Sequence, residues 1–311
     1  TPCGTLFPYT TLFRSHRPRL GTERMIYAEM IGREKEINRL ELQVMKAING
    51  EGSVVNVIGE AGIGKSRLLA ELRKRELMKK ATLLEGHAIS IGRNLSFYPL
   101  IDLFKQWACI REGDGEATML GKLEIAVKSV CGEDVYEVLP FVATLMGMSL
   151  SGKYAERMEG LEGEALEKLI VKNVRDLLSR IASSKPLVIV IEDLHWADAS
   201  SVDLLESLFR LAETHGILFL NVFRPGHVET GERVAKTVRE KHSVRAVEIS
   251  LGPLDDRMSE GLVSRMLKTS DIHHAVIKTI VQRTGGNPFF IEEVVRALID
   301  EGAFVFRNGS Y

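Results

Sequence analysis

Gly59-Glu60-Ala61-Gly62-Ile63-Gly64-Lys65-Ser66 is the stretch whose reading decides the fold. Its spacing is G-x-x-x-x-G-K-S, a phosphate-binding loop between a strand and a helix. Gly59, Gly62 and Gly64 have no Cβ, so the backbone can turn left-handed and close on a phosphate. The loop N–H groups then form an anion-binding nest. Lys65 adds charge at the β- and γ-phosphates, and the Ser66 hydroxyl is placed to ligate Mg²⁺. With Glu60, Ala61 and Ile63 filling the loop and Arg67 opening the helix, Gly59 to Arg67 form the candidate nucleotide-binding set.

The flanks supply the required context. Ser53 to Ile58 is short, apolar and β-branched, the pattern of a buried strand. Ser66 to Lys80 reads as a helix with Leu68, Leu69, Leu72 and Leu77 on one broad face, its N-terminal dipole aimed at the phosphate. The competing reading is a glycine-rich turn that holds no ligand.

Working outward, Pro186 punctuates the chain before Leu187-Val188-Ile189-Val190-Ile191, a fully apolar run of the kind found inside parallel sheets. It ends in Glu192-Asp193. Two carboxylates there have the form of a Walker B element, one holding Mg²⁺ and the next orienting the attacking water. His195 reads as a proton carrier or a packed histidine, and Trp196 as core or interface. Ser200 to His215 reads as a helix. Ile217 to Phe223 is another buried strand, ending at Arg224-Pro225. By position alone, Arg224 either reaches a γ-phosphate or is a surface charge. Val244 to Leu251 completes the set. Strands near 55, 84, 189, 220 and 247 with helices between them predict an α/β three-layer core with a parallel sheet.

A second strand is expected at Ala81 to Gly86 and a loop at Gly92 to Asn94. A helical insertion follows over about 97–182, broken at Gly113 to Gly115, Cys131 to Asp134 and Ser149 to Gly152. From Pro253 the pattern is helical only: Gly285-Gly286 stops one helix, Asn287 caps the next, and Pro288 is its first residue. Ala303 to Phe306 reads as a strand start, and an ending in mid-element implies a fragment. The first 24 residues stand apart. Thr5 to Ser15 resembles an in-frame translation of a common short-read sequencing adapter; the plainer alternative is a disordered tail. The expected division is 1–24 tail, 25–252 nucleotide-binding domain and 253–311 helical lid with the start of a further element.

Net charge is −1, so no global basic signature for nucleic acid exists. Cys3, Cys109 and Cys131 lack metal-ligand spacing and read as reduced thiols of a cytoplasmic protein. No apolar run approaches a membrane span, and no signal peptide is visible.

Five segments together resemble the STAND class of signalling ATPases within the AAA+ superfamily: Ile31-Gly32-Arg33-Glu34, Gly59 to Ser66, Val188 to Asp198, Phe223-Arg224-Pro225 and Gly285 to Phe289. The resemblance covers Met30 to Tyr311. It implies AAA+ strand order, a helical lid, and ATP or ADP with Mg²⁺ as ligands. It implies Arg33 near the adenine, Arg224 as a γ-phosphate sensor and Pro288 in the lid loop beside the nucleotide. The first Walker B carboxylate of the class is most often Asp; here it is Glu192. Mg²⁺ is therefore assigned to Glu192 and water activation to Asp193, with the two roles exchangeable. The function implied is a slowly hydrolysing switch whose nucleotide state controls self-association, with sensor and effector domains outside this chain. The alternative is a fast AAA+ motor or loader acting on DNA or protein.

Overall fold

A computed structural model describes residues 30–91, 95–269 and 273–304. The tail at 1–24 with Cys3, the loop at 92–94 and positions 305–311 lie outside the described residues. Ala303 and Phe304 are bends and form no strand.

Five parallel strands form one sheet in the order β2-β3-β4-β1-β5: β1 Ser53–Gly59, β2 Thr82–His87, β3 Leu187–Glu192, β4 Ile217–Phe223 and β5 Ala246–Leu251. Side chains alternate across a strand, and here both faces are covered, which is why β3 and β4 are apolar without alternation. Val188, Val190, Leu218, Leu220 and Val222 pack on one face with Val55 and Val57. That face carries α1 (Glu34–Ile48) and α2 (Lys65–Arg73) through Ile37, Leu40, Val44, Leu68, Leu69 and Leu72. Ile189, Ile191, Phe219 and Phe223 point to the other face. In the sheet centre Asn56 and Asn221 stand opposite one another, and the Asn221 amide donates to Asn56 Oδ1 at 3.0 Å.

The second face is built by α3 (Tyr98–Trp107), α4 (Glu116–Cys131), α5 (Val135–Leu145), α6 (Lys153–Met158), α7 (Gly163–Ser184), α8 (Ala199–Leu208), α9 (Leu211–Thr214) and α10 (Gly231–Lys241). Phe104, Leu139, Phe141, Leu145 and Met146 are buried there, while Trp107 is only partly covered. Helix α3 lies so close on β2 that a Cβ at Gly86 would meet the Pro99 carbonyl oxygen at 2.1 Å, so only glycine fits. Cys109 and Cys131 form no disulfide among the described residues.

Two expected helices are shorter than their sequence pattern. The helix read over Ser66 to Lys80 stops at Arg73; Arg75 is extended and a 3₁₀ turn covers Glu76–Lys80. That turn buries Met78 in the core, and Leu77 is left partly exposed. The helix read over Ser200 to His215 breaks into α8 and α9 at Phe209, which is fully buried edge-on against Phe219 at 5.3 Å between centroids. At the second break Phe209 and Arg210 keep right-handed helical dihedrals, so α9 continues the direction of α8.

After β5 come α11 (Asp256–Leu267), α12 (His274–Thr284) and α13 (Pro288–Asp300), which share their own core of Leu262, Val263, Met266, Ile277, Ile280, Ile291 and Val295. Asn287 caps α13, accepting from the Phe289 N–H at 3.1 Å, and Pro288 is its first residue. No helix among the described residues is long and apolar enough to cross a membrane.

Candidate functional site

The loop between β1 and α2 has the conformation its glycines allow. Gly62 and Gly64 have φ of 74° and 103°. Gly64 precedes the first residue of α2, which has no side-chain cap, so the first helix amides are open to a ligand. Ser66 is exposed at that end and Arg67 half-buried. Lys65 is buried, and its ammonium donates to the carbonyls of Gly59 (2.7 Å) and Glu60 (2.8 Å). Burial, and then the charge of Arg224, hold its pKa below the ordinary lysine value.

Two charged residues from strand ends act on Lys65 through their charges. Asp193 follows β3 with φ of 54°, in the left-handed region where aspartate is one of the few tolerated side chains. Its side chain is half-exposed, 51%. Displacement of water by protein, and then the charge of Glu192, raise its pKa against the opposing pull of Arg224 and Lys65. Arg224 follows β4, and its Nε is buried with no hydrogen-bond partner. Arg224 is partly buried, and its charge acts on Lys65 and Asp193.

Glu192 is placed differently. It is buried, and its Oε1 accepts from Arg73 Nη2 at 2.6 Å and lies 3.7 Å from His87 Nε2. Arg73 also donates through Nε to Glu85 Oε1 at 2.6 Å. His87 Nδ1 lies 2.9 Å from Asp102 Oδ2, and the same oxygen accepts from the His87 backbone N–H at 3.1 Å. This chain of charges joins α2, β2, β3 and α3 behind the loop. Burial alone would raise the Glu192 pKa; the bond to His87 and the charge of Arg73 outweigh it and keep the carboxylate ionised. Glu192 is thus already held by Arg73 and His87, whereas the charge of Asp193 acts on Lys65.

His87 makes a pH prediction. Its bond to Asp102, and then to Glu192, push its pKa up to about 10. A base whose folded pKa is raised contributes its full stabilisation below the unfolded value, near 6.5, and loses it as pH rises through the folded one. The nucleotide-free protein therefore loses thermal stability from about pH 6.5 towards about 10. Melting curves of His87→Gln flatten over that window; an unchanged slope would count against the cluster.

Several expected site residues lie beside the loop. The Arg33 guanidinium donates to the carbonyls of Gly252 and Ile63 (3.3 Å to the latter) and to Glu36 at 3.3 Å. It therefore ties the loop to the chain that leaves β5 for the C-terminal helices. On the opposite side, Asn287 Nδ2 donates to the Ala61 carbonyl at 3.0 Å and the Phe289 N–H to the Gly62 carbonyl at 3.3 Å. A Cβ at Gly62 would meet the Phe289 Cβ at 2.6 Å. Pro288 lies between those two contacts. His195 is fully buried, with ring centroids of Trp196 at 5.0 Å and His227 at 4.9 Å, the packed one of its two readings.

The donors fit a magnesium nucleotide. Lys65 and the orphaned Arg224 Nε offer cationic N–H groups to phosphates, and the open helix amides add more. The Ser66 hydroxyl and Asp193 carboxylate are hard oxygen donors suited to Mg²⁺. Among the described residues no three His, Cys, Asp or Glu side chains group to hold a metal alone. Mg²⁺ carried by phosphates needs only one or two carboxylates.

Sequence reading missed Arg73, Glu85, His87, Asp102 and the loop contacts of Asn287 and Phe289. One signal was present: Glu85 is a charge inside an otherwise apolar strand, and a buried carboxylate demands a cation. Nothing in the local pattern of Asn287 distinguishes a helix cap from a cap that also holds the loop.

A family described as AAA ATPase domain matches residues 29–220, and one described as a domain of unknown function matches 255–309. An uncharacterized protein of Rhizobium meliloti (strain 1021) is 26% identical over 269 residues, 85% of this chain. Those residues make up 24% of that protein, so the chain spans about a quarter of the relative's length. Among solved structures, the ORC2 protein of Aeropyrum pernix is similar at 13% identity and a TM-score of 0.46, over 91% of this chain and 66% of that one. The Cdc6p protein of Pyrobaculum aerophilum is similar at 13% identity and a TM-score of 0.48, over 90% of this chain and 65% of that one.

Proposed function

The chain belongs to the AAA ATPase domain family, and from that premise we propose that it is a Mg²⁺-dependent ATP switch with slow turnover. In this reading the core is the nucleotide-binding domain, 25–252, and the helices after 253 are its lid. The observation that carries the proposal is the double bonding of Asn287 and Phe289 to the carbonyls of Ala61 and Gly62. A loop that holds phosphates and is also held by the helical unit couples nucleotide state to the position of that unit. Arg33 supports the same reading from the other side, since its guanidinium bridges the loop and the core-to-helix connection.

Gly59 to Arg67 bind the phosphates, with Lys65 at the β- and γ-positions, and Arg224 senses the γ-phosphate. Ser66 and Asp193 hold Mg²⁺, and Asp193 also orients the attacking water; Glu192 keeps the end of β3 in place. ATP supplies the phosphoryl group, and Mg²⁺ neutralises charge on it. The proposed output is self-association in the ATP state, passed to sensor and effector parts beyond this chain, in a cytoplasmic protein.

Steady-state ATP turnover, paired with light scattering under ADP and ATP, tests this. The expected result is a rate of about one per minute or slower, the range of switches without a partner's arginine, and a larger species with ATP. Turnover above about 1 s⁻¹ with no change in size would favour a motor or loader and overturn the switch.

A further inference from the structure

A second charged cleft lies at the other end of the sheet. Strands of a parallel sheet all begin at one edge; the phosphate loop follows the end of β1, whereas Glu213 and His242 precede the starts of β4 and β5. Seven strand residues separate the two edges by about 20 Å. The cleft has a volume of about 730 Å³ and is walled by α7, α8, α9 and α10. That is the size of a small-ligand site rather than a flat docking face.

Its charges are unequally committed. The Glu206 carboxylate accepts from Arg233 at 2.9 Å and from the Thr237 hydroxyl at 2.7 Å. Glu213 Oε1 lies 3.0 Å from Nδ1 of His242, a side chain only 5% exposed. Both carboxylates of the wall are thereby satisfied. Arg175, Arg210 and Lys241, brought together from α7, the α8–α9 link and the end of α10, make no ion pair or side-chain hydrogen bond among the described residues. Three uncommitted cations around one concavity repel one another, and an anion of several charges relieves that repulsion. Two guanidinium forks suit phosphate oxygens in particular.

We propose that the cleft lined by Arg175, Arg210 and Lys241 binds a soluble oligophosphate, free or carried on a small molecule, independently of the nucleotide loop. The test is calorimetric titration of inorganic tripolyphosphate, and separately of ATP, into the full chain carrying Lys65→Ala, which removes the loop's main cation. One binding event is expected. Adding Arg175→Gln with Arg210→Gln weakens it about ten- to hundredfold, the loss expected for charge-assisted bonds. Arg175→Lys with Arg210→Lys retains part of the affinity. Equal affinity for tripolyphosphate and ATP identifies phosphate alone as the ligand; tighter ATP shows that the carrier is read too. Both arginines are at the surface, and unchanged melting temperatures confirm that the variants fold. Binding insensitive to these variants, or no binding, overturns the site. Capture of a polyglutamate peptide with the same variant dependence, without tripolyphosphate binding, replaces the proposal with an acidic protein partner.

Discussion

Lys65→Ala loses ATP binding by upward of about a hundredfold in Kd, a cost of about 3 kcal/mol or more for deleting one partner of a desolvated charge pair. The ammonium is the strongest donor in the loop, and its bonds to the Gly59 and Glu60 carbonyls hold it where phosphates arrive. Those bonds are exchanged for phosphate oxygens on binding, so the difference appears chiefly in the complex. Equilibrium titration with a fluorescent ATP analogue measures it, and circular dichroism of the variant checks that β1 and α2 remain folded. Affinity within a few-fold of wild type would sink the phosphate-loop reading.

The second large effect separates the two adjacent carboxylates. Asp193→Asn still binds ATP through the loop and Lys65, somewhat more weakly for want of one Mg²⁺ ligand, and hydrolyses it about 10²- to 10³-fold more slowly, the range lost with a group that positions or deprotonates the nucleophile. Glu192→Gln behaves in the opposite sense. It leaves Arg73 and His87 facing a neutral amide in a buried cluster, so the melting temperature falls more than in Asp193→Asn. Single-turnover rates and melting curves of the two variants decide the assignment. Unchanged hydrolysis in Asp193→Asn, with hydrolysis abolished in well-folded Glu192→Gln, would return the water-orienting role to Glu192.

The bond distances support this division. Glu192 as the first carboxylate after an apolar strand is the natural Mg²⁺ ligand. Its oxygen is instead taken by Arg73, 119 residues away in sequence. The extra methylene of Glu relative to Asp lengthens the side chain that reaches this cation. Arg33, which the resemblance places near adenine, bonds to the backbone carbonyls of Ile63 and Gly252.

Much of the architecture was legible because its signals are local. A glycine spacing between a β-branched run and a leucine-rich run determined the loop and the elements on either side of it. The apolar runs at Leu187 to Ile191 and Ile217 to Phe223 determined two interior strands, since a strand covered on both faces has no polar side to show. Gly285-Gly286 and Asn287-Pro288 determined a helix end and a helix start. The tertiary structure alone decided where α2 stops, that Met78 is buried, that Glu192 is held by Arg73 and His87, and that Asn287 binds the loop. These depend on groups brought together from distant positions, and no periodicity along a chain encodes which distant cation will satisfy a buried carboxylate.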